Sequence, residues 1–156
     1  MNKLFFPILI VIIFTLTFSC SKSNNSSGGP TSSEWIYNDT TYKGYTTAYD
    51  SAGFPVIISE DSLGNKIYVY FTTPPNVNTQ YVVVNNWLDS LNRGNYATIL
   101  IDLPNKNYGY KSTGKAGDII TTTFLDNKLH VTFSNSSINS IVGNATISGT
   151  LIQTIP

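Results

Sequence analysis

Residues 66–71, KIYVYF, decide the fold class of this chain, because their side chains change in character from one residue to the next. The isoleucine, valine and phenylalanine share one face of such a segment, whereas Tyr68 and Tyr70 share the other. Alternation with a period of two is typical of a β-strand whose inner face packs on a core. The segment therefore predicts a strand with one apolar face and one tyrosine face.

The same pattern recurs from residue 34 to residue 154, and turn residues interrupt it about every 8 to 12 residues. No stretch keeps a helical period long enough for a domain-building helix, and residues 86–92 hold the one plausible helical turn. The inward rows of the strands supply the candidate core, which comprises Ile67, Val69, Phe71, Ala97, Ile99, Ile101, Leu103, Leu129, Val131, Phe133, Ala145, Ile147, Gly149 and Leu151.

Turn and proline signals separate these strands. Asn, Asp and Gly tolerate the positive φ angles of tight hairpins, so turns are predicted at Asn38–Asp39, Leu63–Gly64–Asn65, Asp126–Asn127 and Val142–Gly143–Asn144. Proline cannot donate to a neighbouring strand, and it ends strands at Pro74–Pro75 and Pro104. We predict one all-β domain over residues 34–154. Its expected architecture is a single antiparallel β-sandwich, immunoglobulin-like, with about seven to nine strands, and a closed barrel is the alternative.

The composition limits the function classes that this domain can serve. Hydrophobic residues make up 41% of the chain, enough for a core, while charged residues make up 12%, about half the usual share. The formal net charge is zero, so the chain has no positive field to hold nucleic acid, and no nucleic-acid partner is expected. We expect a monomer with a surface of Asn, Ser, Thr and Tyr.

The N-terminus has the organisation of a lipoprotein signal peptide over residues 1–19. Lys3 precedes an apolar run at residues 4–18, which is shorter than the roughly 20 residues needed to span a membrane. Ser19 and Cys20 follow directly and resemble a bacterial lipobox, in which the cysteine is acylated and becomes the new N-terminus. The resemblance implies lipidation of Cys20 and a membrane anchor. The segment from Cys20 to residue 33, rich in Ser, Asn and Gly, is predicted to be a flexible tether.

Several segments of the domain follow one another in a recognisable order. They are Trp35 with TYKG at 41–44, IYVYFTTPPNVNTQYVVV at 67–84, YKSTGKAGD at 110–118, KLHVTFSNSSI at 128–138 and ATISGTLI at 145–152. Together they resemble the small lipoproteins that are abundant in Bacteroidota, a group without an assigned activity. The resemblance implies an outer-membrane lipoprotein of the cell envelope with one β-sandwich domain, on the periplasmic or the surface side, and it transfers no functional site.

Catalytic and metal-binding chemistry finds no support in the sequence. The acids are scattered apart from Glu60–Asp61 at a turn, and the only histidine, His130, is predicted on an outward face without an acid to orient it. One histidine and a lipidated cysteine cannot supply a zinc site, and no spaced-acid calcium loop occurs. We expect no enzyme, no cofactor and no metal. An enzyme would need a pocket that gathers distant acids such as Glu34 and Glu60.

Tyrosines are the candidate ligand-binding residues. Tyr68 and Tyr70 lie on the face opposite the core row, and Tyr108 and Tyr110 flank a glycine in a predicted polar loop. A flat ring with a polar tip suits contact with a sugar or a protein. The alternative is that these rings pair across strands or face the second sheet of the sandwich.

Four Asp-Ser or Asp-Thr steps, each followed by a small or aliphatic residue or by threonine, resemble the O-glycosylation signal of exported Bacteroidota proteins. The candidate acceptors are Thr40, Ser51, Ser62 and Ser90. The alternative explanation is turn chemistry, because Asp-Ser and Asp-Thr steps are also favoured in tight turns.

Two functional hypotheses follow. The first is a lipid-anchored, non-enzymatic envelope module that binds a carbohydrate or an envelope protein through its tyrosine-rich face or loops. The alternative is a structural, glycosylated coat lipoprotein without a specific ligand.

Overall fold

The computed structural model describes residues 32–75, 78–86, 94–106 and 108–155. Within them the backbone forms ten β-strands and one short 3-10 helix at Pro104–Lys106. The strands are β1 (Ser33–Tyr37), β2 (Thr40–Ser51), β3 (Phe54–Asp61), β4 (Lys66–Phe71), β5 (Thr79–Val83), β6 (Tyr96–Leu103), β7 (Tyr108–Ser112), β8 (Ile119–Leu125), β9 (Lys128–Ser140) and β10 (Gly143–Thr154).

All ten strands belong to one hydrogen-bonded sheet that closes on itself. The order is β10-β1-β2-β3-β4-β6-β5-β8-β9-β7, with further pairings between β10 and β9 and between β6 and β7. Every pair is antiparallel except β5 with β6, which run parallel. Because β10 pairs with both β1 and β9, the row of strands returns to its start and leaves the inner faces packed against one another.

The closed sheet forks between β6 and β9. At one end β7 bridges these two strands, and at the other end β5 and β8 together bridge them. Hydrogen bonds from side chains to backbone groups connect the strands at the fork. The Ser112 hydroxyl donates to the Val84 carbonyl at 2.6 Å and accepts from the Ile99 amide at 3.2 Å, and Asp118 Oδ2 accepts from the Ser137 amide at 2.7 Å.

The predicted all-β class is confirmed, whereas the strand count and the arrangement differ from the expectation. Ten strands form one closed sheet, where about seven to nine strands in an immunoglobulin-like sandwich were expected. The closure matches the barrel alternative. The long strand β2 explains part of the difference in number, because only Gly44 among its residues is fully buried, and so its sequence carries no alternating apolar row. A register shift between Ile147 and Gly149 lets β10 bend while it pairs along β9.

The core lies inside the closed sheet and contains the predicted inward rows. Ala145 and Gly149 are half-buried, and the other predicted core residues are fully buried. Trp35, Tyr81, Phe71 and Phe133 are the largest fully buried side chains, and full burial of a phenylalanine contributes about 1.5–3 kcal/mol. Gly149 makes room for Trp35, since a Cβ at position 149 would stand 2.7 Å from the Trp35 Cα.

The predicted hairpin turns are present, with one shift. Asn38, Asp39, Asp126 and Asn127 all have positive φ angles. The last turn lies at residues 141–142 rather than 142–144, since Gly143 already begins β10. The structure has a further turn at residues 52–53, which was not predicted from the sequence. Residues 87–93, which include most of the predicted helical turn, lie outside the described residues.

The alternating strand directions sort the turns between the two ends of the molecule. The turns after β1, β3, β6 and β9 lie at one end, which we call the hairpin end. The start of β1, the end of β10 and the turn between β2 and β3 lie at the opposite end. Ser33, assigned to the tether from sequence, is the first residue of β1 and is fully buried. Its hydroxyl accepts a hydrogen bond from the Ile152 amide at 2.7 Å, which ties the start of β1 to β10.

No helix in the described part of the chain is both long enough and apolar enough to cross a membrane.

Candidate functional site

Tyr68 and Tyr70 lie on the outer face of β4, as the alternation predicts, and both are partly exposed. The strand register sets their neighbours. Tyr49 of β2, Val56 of β3 and Tyr70 form one row across the sheet, and residues 58, 68 and 100 form the adjacent row. We call this outer surface the tyrosine face, and it consists of Tyr49, Val56, Ile58, Tyr68, Tyr70 and Leu100.

The rings of the tyrosine face are held in place by one another. The Tyr68 and Tyr70 ring centroids are 6.3 Å apart and the ring planes differ by 20°. Tyr49 interacts electrostatically with Tyr70 and raises the pKa of its hydroxyl group. Val56 lies between these two tyrosines and is fully buried although it points outward, so neighbouring side chains close over it. The face is therefore pre-arranged, which lowers the entropy cost of binding a ligand.

The hydroxyl groups of Tyr68 and Tyr70 remain protonated at neutral pH, because the pKa of each is raised. Burial raises the pKa of Tyr68, with a smaller raising effect from Asp102 and an opposing effect from Lys66. Burial also raises the pKa of Tyr70, and the interaction with Tyr49 raises it further. Each neutral hydroxyl can both donate and accept hydrogen bonds, as contact with a sugar hydroxyl requires.

An open groove of about 410 Å³ runs beside the two tyrosines over β6, β7 and β9. Tyr68, Tyr70 and Leu100 supply its apolar surface, and the polar groups come from Asp102, Lys111 and Asn139. Gly109 pairs with Asp102 and adds no side chain, which keeps the groove open. A Cβ at position 109 would lie 3.0 Å from the Ile101 carbonyl oxygen.

The residues considered as candidates for catalysis do not line this groove. His130 is half-exposed on the outer face of β9 and pairs with Thr123 and Ile152, away from the groove. Glu34 and Glu60, the acids that an enzyme would have to gather, instead pair with Lys43 at 3.3 Å and with Lys66 at 3.4 Å. Across residues 32–75, 78–86, 94–106 and 108–155, no three His, Cys, Asp or Glu side chains come together as metal ligands.

The structure corrects the prediction for Tyr110. Residues 108–112 form β7 rather than a polar loop, and Tyr110 pairs with Ile101, a member of the inner row. Its ring is therefore turned into the core, is 4% exposed and packs on Tyr37. Tyr108 belongs to the same strand, but its side chain lies outside the described residues.

Sequence reasoning did not find Tyr49, Leu100, Lys111 and Asn139 as neighbours of the two tyrosines. These residues belong to four other strands, and only the register between strands brings them to one face. The one local signal is in β6, where Leu100 occupies the outward position of an alternating strand that would ordinarily be polar.

Three of the four candidate glycosylation residues, Thr40, Ser51 and Ser62, lie at hairpins. Thr40 and Ser62 are exposed, Ser51 is half-buried, and Ser90 lies outside the described residues. The preceding aspartates have turn roles at two of these sites. Asp50 accepts from the Gly53 amide at 2.7 Å, and Asp61 accepts from the Leu63 amide at 2.8 Å. Turn chemistry thus accounts for these two aspartates, and glycosylation stays a prediction. Cys20, the predicted lipidation site, also lies outside the described residues.

No protein-family model, curated protein or solved structure matches this chain.

Proposed function

We propose that this protein is a non-enzymatic, lipid-anchored module of a bacterial cell envelope that binds carbohydrate along its tyrosine face and the adjoining groove. The observation that carries the proposal is the outward pair Tyr68 and Tyr70 beside a groove whose other walls combine Leu100 with the polar side chains of Asp102, Lys111 and Asn139.

The chemistry of the groove matches that of a sugar chain. One face of a pyranose ring is built from C–H groups and packs on an aromatic ring, while its hydroxyl groups need hydrogen-bonding partners at the edge. The tyrosine face supplies the first contact, and the carboxylate, ammonium and amide groups of the groove supply the second. The groove is open along the surface, so a chain can lie across it without being threaded.

The predicted anchor fits this mode of binding. A shallow site makes few contacts with its ligand, so a single domain is expected to bind weakly. A lipid at Cys20 and a tether with a reach of about 20 Å would hold many copies on one membrane, so that several domains bind one polymer at once. The replacement Cys20→Ser is expected to move the protein from the membrane fraction to the soluble fraction.

The test is affinity electrophoresis and calorimetry of the mature protein against envelope and capsular polysaccharides. The double variant Tyr68→Ala/Tyr70→Ala is expected to bind at least about tenfold more weakly, since packing of a sugar ring on a tyrosine ring contributes on the order of 1 kcal/mol per ring. Tyr45→Ala is the matched control, because Tyr45 is 63% exposed on β2 and does not line the groove.

Two outcomes would count against the proposal. If the double variant binds as the wild type does, the tyrosine face is not the site. If no polysaccharide is retained while an envelope protein co-purifies through Tyr68 and Tyr70, the ligand is a protein.

A further inference from the structure

A second depression opens at the hairpin end, away from the tyrosine face. It has a volume of about 320 Å³, and we call it the end pit. Its lining comes from the turns after β1, β6 and β9 and from neighbouring strands, and comprises Tyr37, Asn38, Thr40, Tyr42, Lys106, Tyr110, Val142, Gly143, Asn144 and Ala145.

The aromatic walls of the end pit are rigid. Tyr42 stacks on the fully buried Trp35, with ring centroids 4.0 Å apart and planes within 8°. Tyr37 packs on Tyr110 with centroids 4.7 Å apart at 51°. These contacts tie the walls to the core, so a ligand meets rings that are already in place. They also give Tyr110 a role in the pit.

One ammonium group, that of Lys106, lines the end pit. It is the single charged side chain among the described lining residues, and it is exposed at the end of the 3-10 helix. Burial raises the pKa of Tyr42, and the negative charge of the nearby Asp61 raises it further. The Asp61 carboxylate accepts hydrogen bonds from Leu63 and Asn65 and does not line the pit.

The end pit continues into a larger polar groove of about 960 Å³ on the outer faces of β1, β9 and β10. The two depressions share Asn38, Asn144 and Ala145. Of the nine remaining lining residues, five carry hydroxyl or amide groups, two are charged and two are apolar, one of the apolar residues being the exposed Ile36. The other groove residues are Asp39, Thr113, Lys115, Asn135, Ser137, Ile138, Thr146 and Ser148.

We infer that the end pit and this polar groove bind the end of an acidic oligosaccharide. The terminal sugar occupies the pit, with its ring against Tyr42 and its carboxylate at Lys106, and the following sugars lie over Asn38 and Asn144 into the groove. Aromatic walls, amide donors and one ammonium group are the set of contacts that a carboxylated sugar ring needs. Tyr110 lines both this pit and the groove beside the tyrosine face, but Tyr68 and Tyr70 do not line the pit and Lys106 does not line that groove. Variants at these three residues therefore test the two sites separately.

Trp35 provides the readout, because it stacks under Tyr42 and its fluorescence responds to what touches that ring. The experiment uses the mature protein with Trp87→Phe, which leaves Trp35 as the sole tryptophan. The probes are oligomers of galacturonate, glucuronate, mannuronate and sialic acid, each paired with its methyl ester. The ester keeps the ring and loses the charge.

We expect a saturable change in Trp35 emission with at least one acidic oligomer, and at least about tenfold weaker binding of its methyl ester and of the acid to Lys106→Gln. Asn144→Ala should weaken binding of the longer oligomers more than of the monomer. Tyr68→Ala/Tyr70→Ala is the control and should leave the titration unchanged, with the fold of each variant checked by circular dichroism.

The inference is overturned if none of the acidic probes changes the emission, or if the ester binds as well as the acid. It is also overturned if the binding is lost in the tyrosine-face variant and kept in Lys106→Gln, since the ligand would then occupy the site of the proposed function.

Discussion

Two fully buried serines illustrate how hydrogen-bond partners decide whether a buried hydroxyl group stabilises the folded protein. Ser112 bonds to Val84 and Ile99 at the fork of the sheet, whereas the Ser59 hydroxyl has no hydrogen-bond partner within the residues that the structure describes. A buried polar group without a partner opposes folding, while loss of a bonded one leaves its partners unsatisfied.

We therefore expect Ser112→Ala to lower the free energy of unfolding by about 1–3 kcal/mol and Ser59→Ala to leave it unchanged or to raise it. Urea unfolding followed by circular dichroism measures both. Equal losses in the two variants would show that Ser59 has an unseen partner in the folded protein.

The tyrosines predict how stability responds to alkaline pH. Burial raises the folded-state pKa of Tyr42, Tyr68 and Tyr70. Because the protonated form is favoured in the folded state, this contribution is complete below the unfolded pKa of about 10 and is lost as pH rises through the folded values.

Urea midpoints between pH 8 and pH 12 should accordingly fall above about pH 10, and the fall should be smaller in Tyr70→Phe, which has no ionisable group at that position. A variant whose midpoint falls as steeply as that of the wild type would contradict the assignment of this loss to Tyr70.

At the scale of elements, the turn between β3 and β4 is organised by one carboxylate. Asp61 accepts from the Leu63 amide at 2.8 Å, from the Asn65 amide at 3.0 Å and from the Asn65 side chain at 2.8 Å. Asp50 makes one such bond, to Gly53, in the turn between β2 and β3. The number of bonds should set the cost of removing each side chain.

Asp61→Ala is expected to lower the free energy of unfolding by about 1–3 kcal/mol, because two of its bonds go to the buried Asn65. Asp50→Ala is expected to lower it by about 1 kcal/mol or less, because that turn is exposed and water replaces part of what is lost. Asp61→Asn should recover part of the loss, since its amide oxygen still accepts. Chemical unfolding measures the series, and a larger effect at Asp50 would contradict it.

At the scale of the whole molecule, closure of the sheet brings the two ends of the described chain together. β1 pairs with β10, and the Ile152 amide donates to the Ser33 hydroxyl. The turn at Ala52–Gly53 is exposed, and a Cβ on Gly53 would meet nothing within 4 Å. A new pair of termini at this turn disturbs no strand pairing.

A circular permutant that joins residue 155 to residue 32 by a short Gly-Ser linker and opens between Ala52 and Gly53 should therefore fold cooperatively. Opening the chain between Val131 and Thr132, in the middle of β9, should abolish folding, because β9 pairs with both β8 and β10 there. Thermal unfolding and amide NMR spectra distinguish the two permutants.

The sequence by itself determined the all-β class, most of the core rows and most of the hairpin turns. Each of these depends on local rules: alternation places Ile67 and Tyr68 on opposite faces, and positive φ angles favour Asn38 and Asp39 at a turn. The outward placement of Tyr68 and Tyr70 follows from the same local period.

Only the tertiary structure decided the closure of the sheet, the burial of Tyr110 and the assembly of the two depressions. Tyr110 turned inward because β7 pairs with β6 in a register that aligns it with Ile101, and Tyr49 reached Tyr70 only across β3. Register between strands far apart in sequence depends on how whole faces pack together. No local pattern encodes it, so the neighbours of a strand cannot be read from the strand alone.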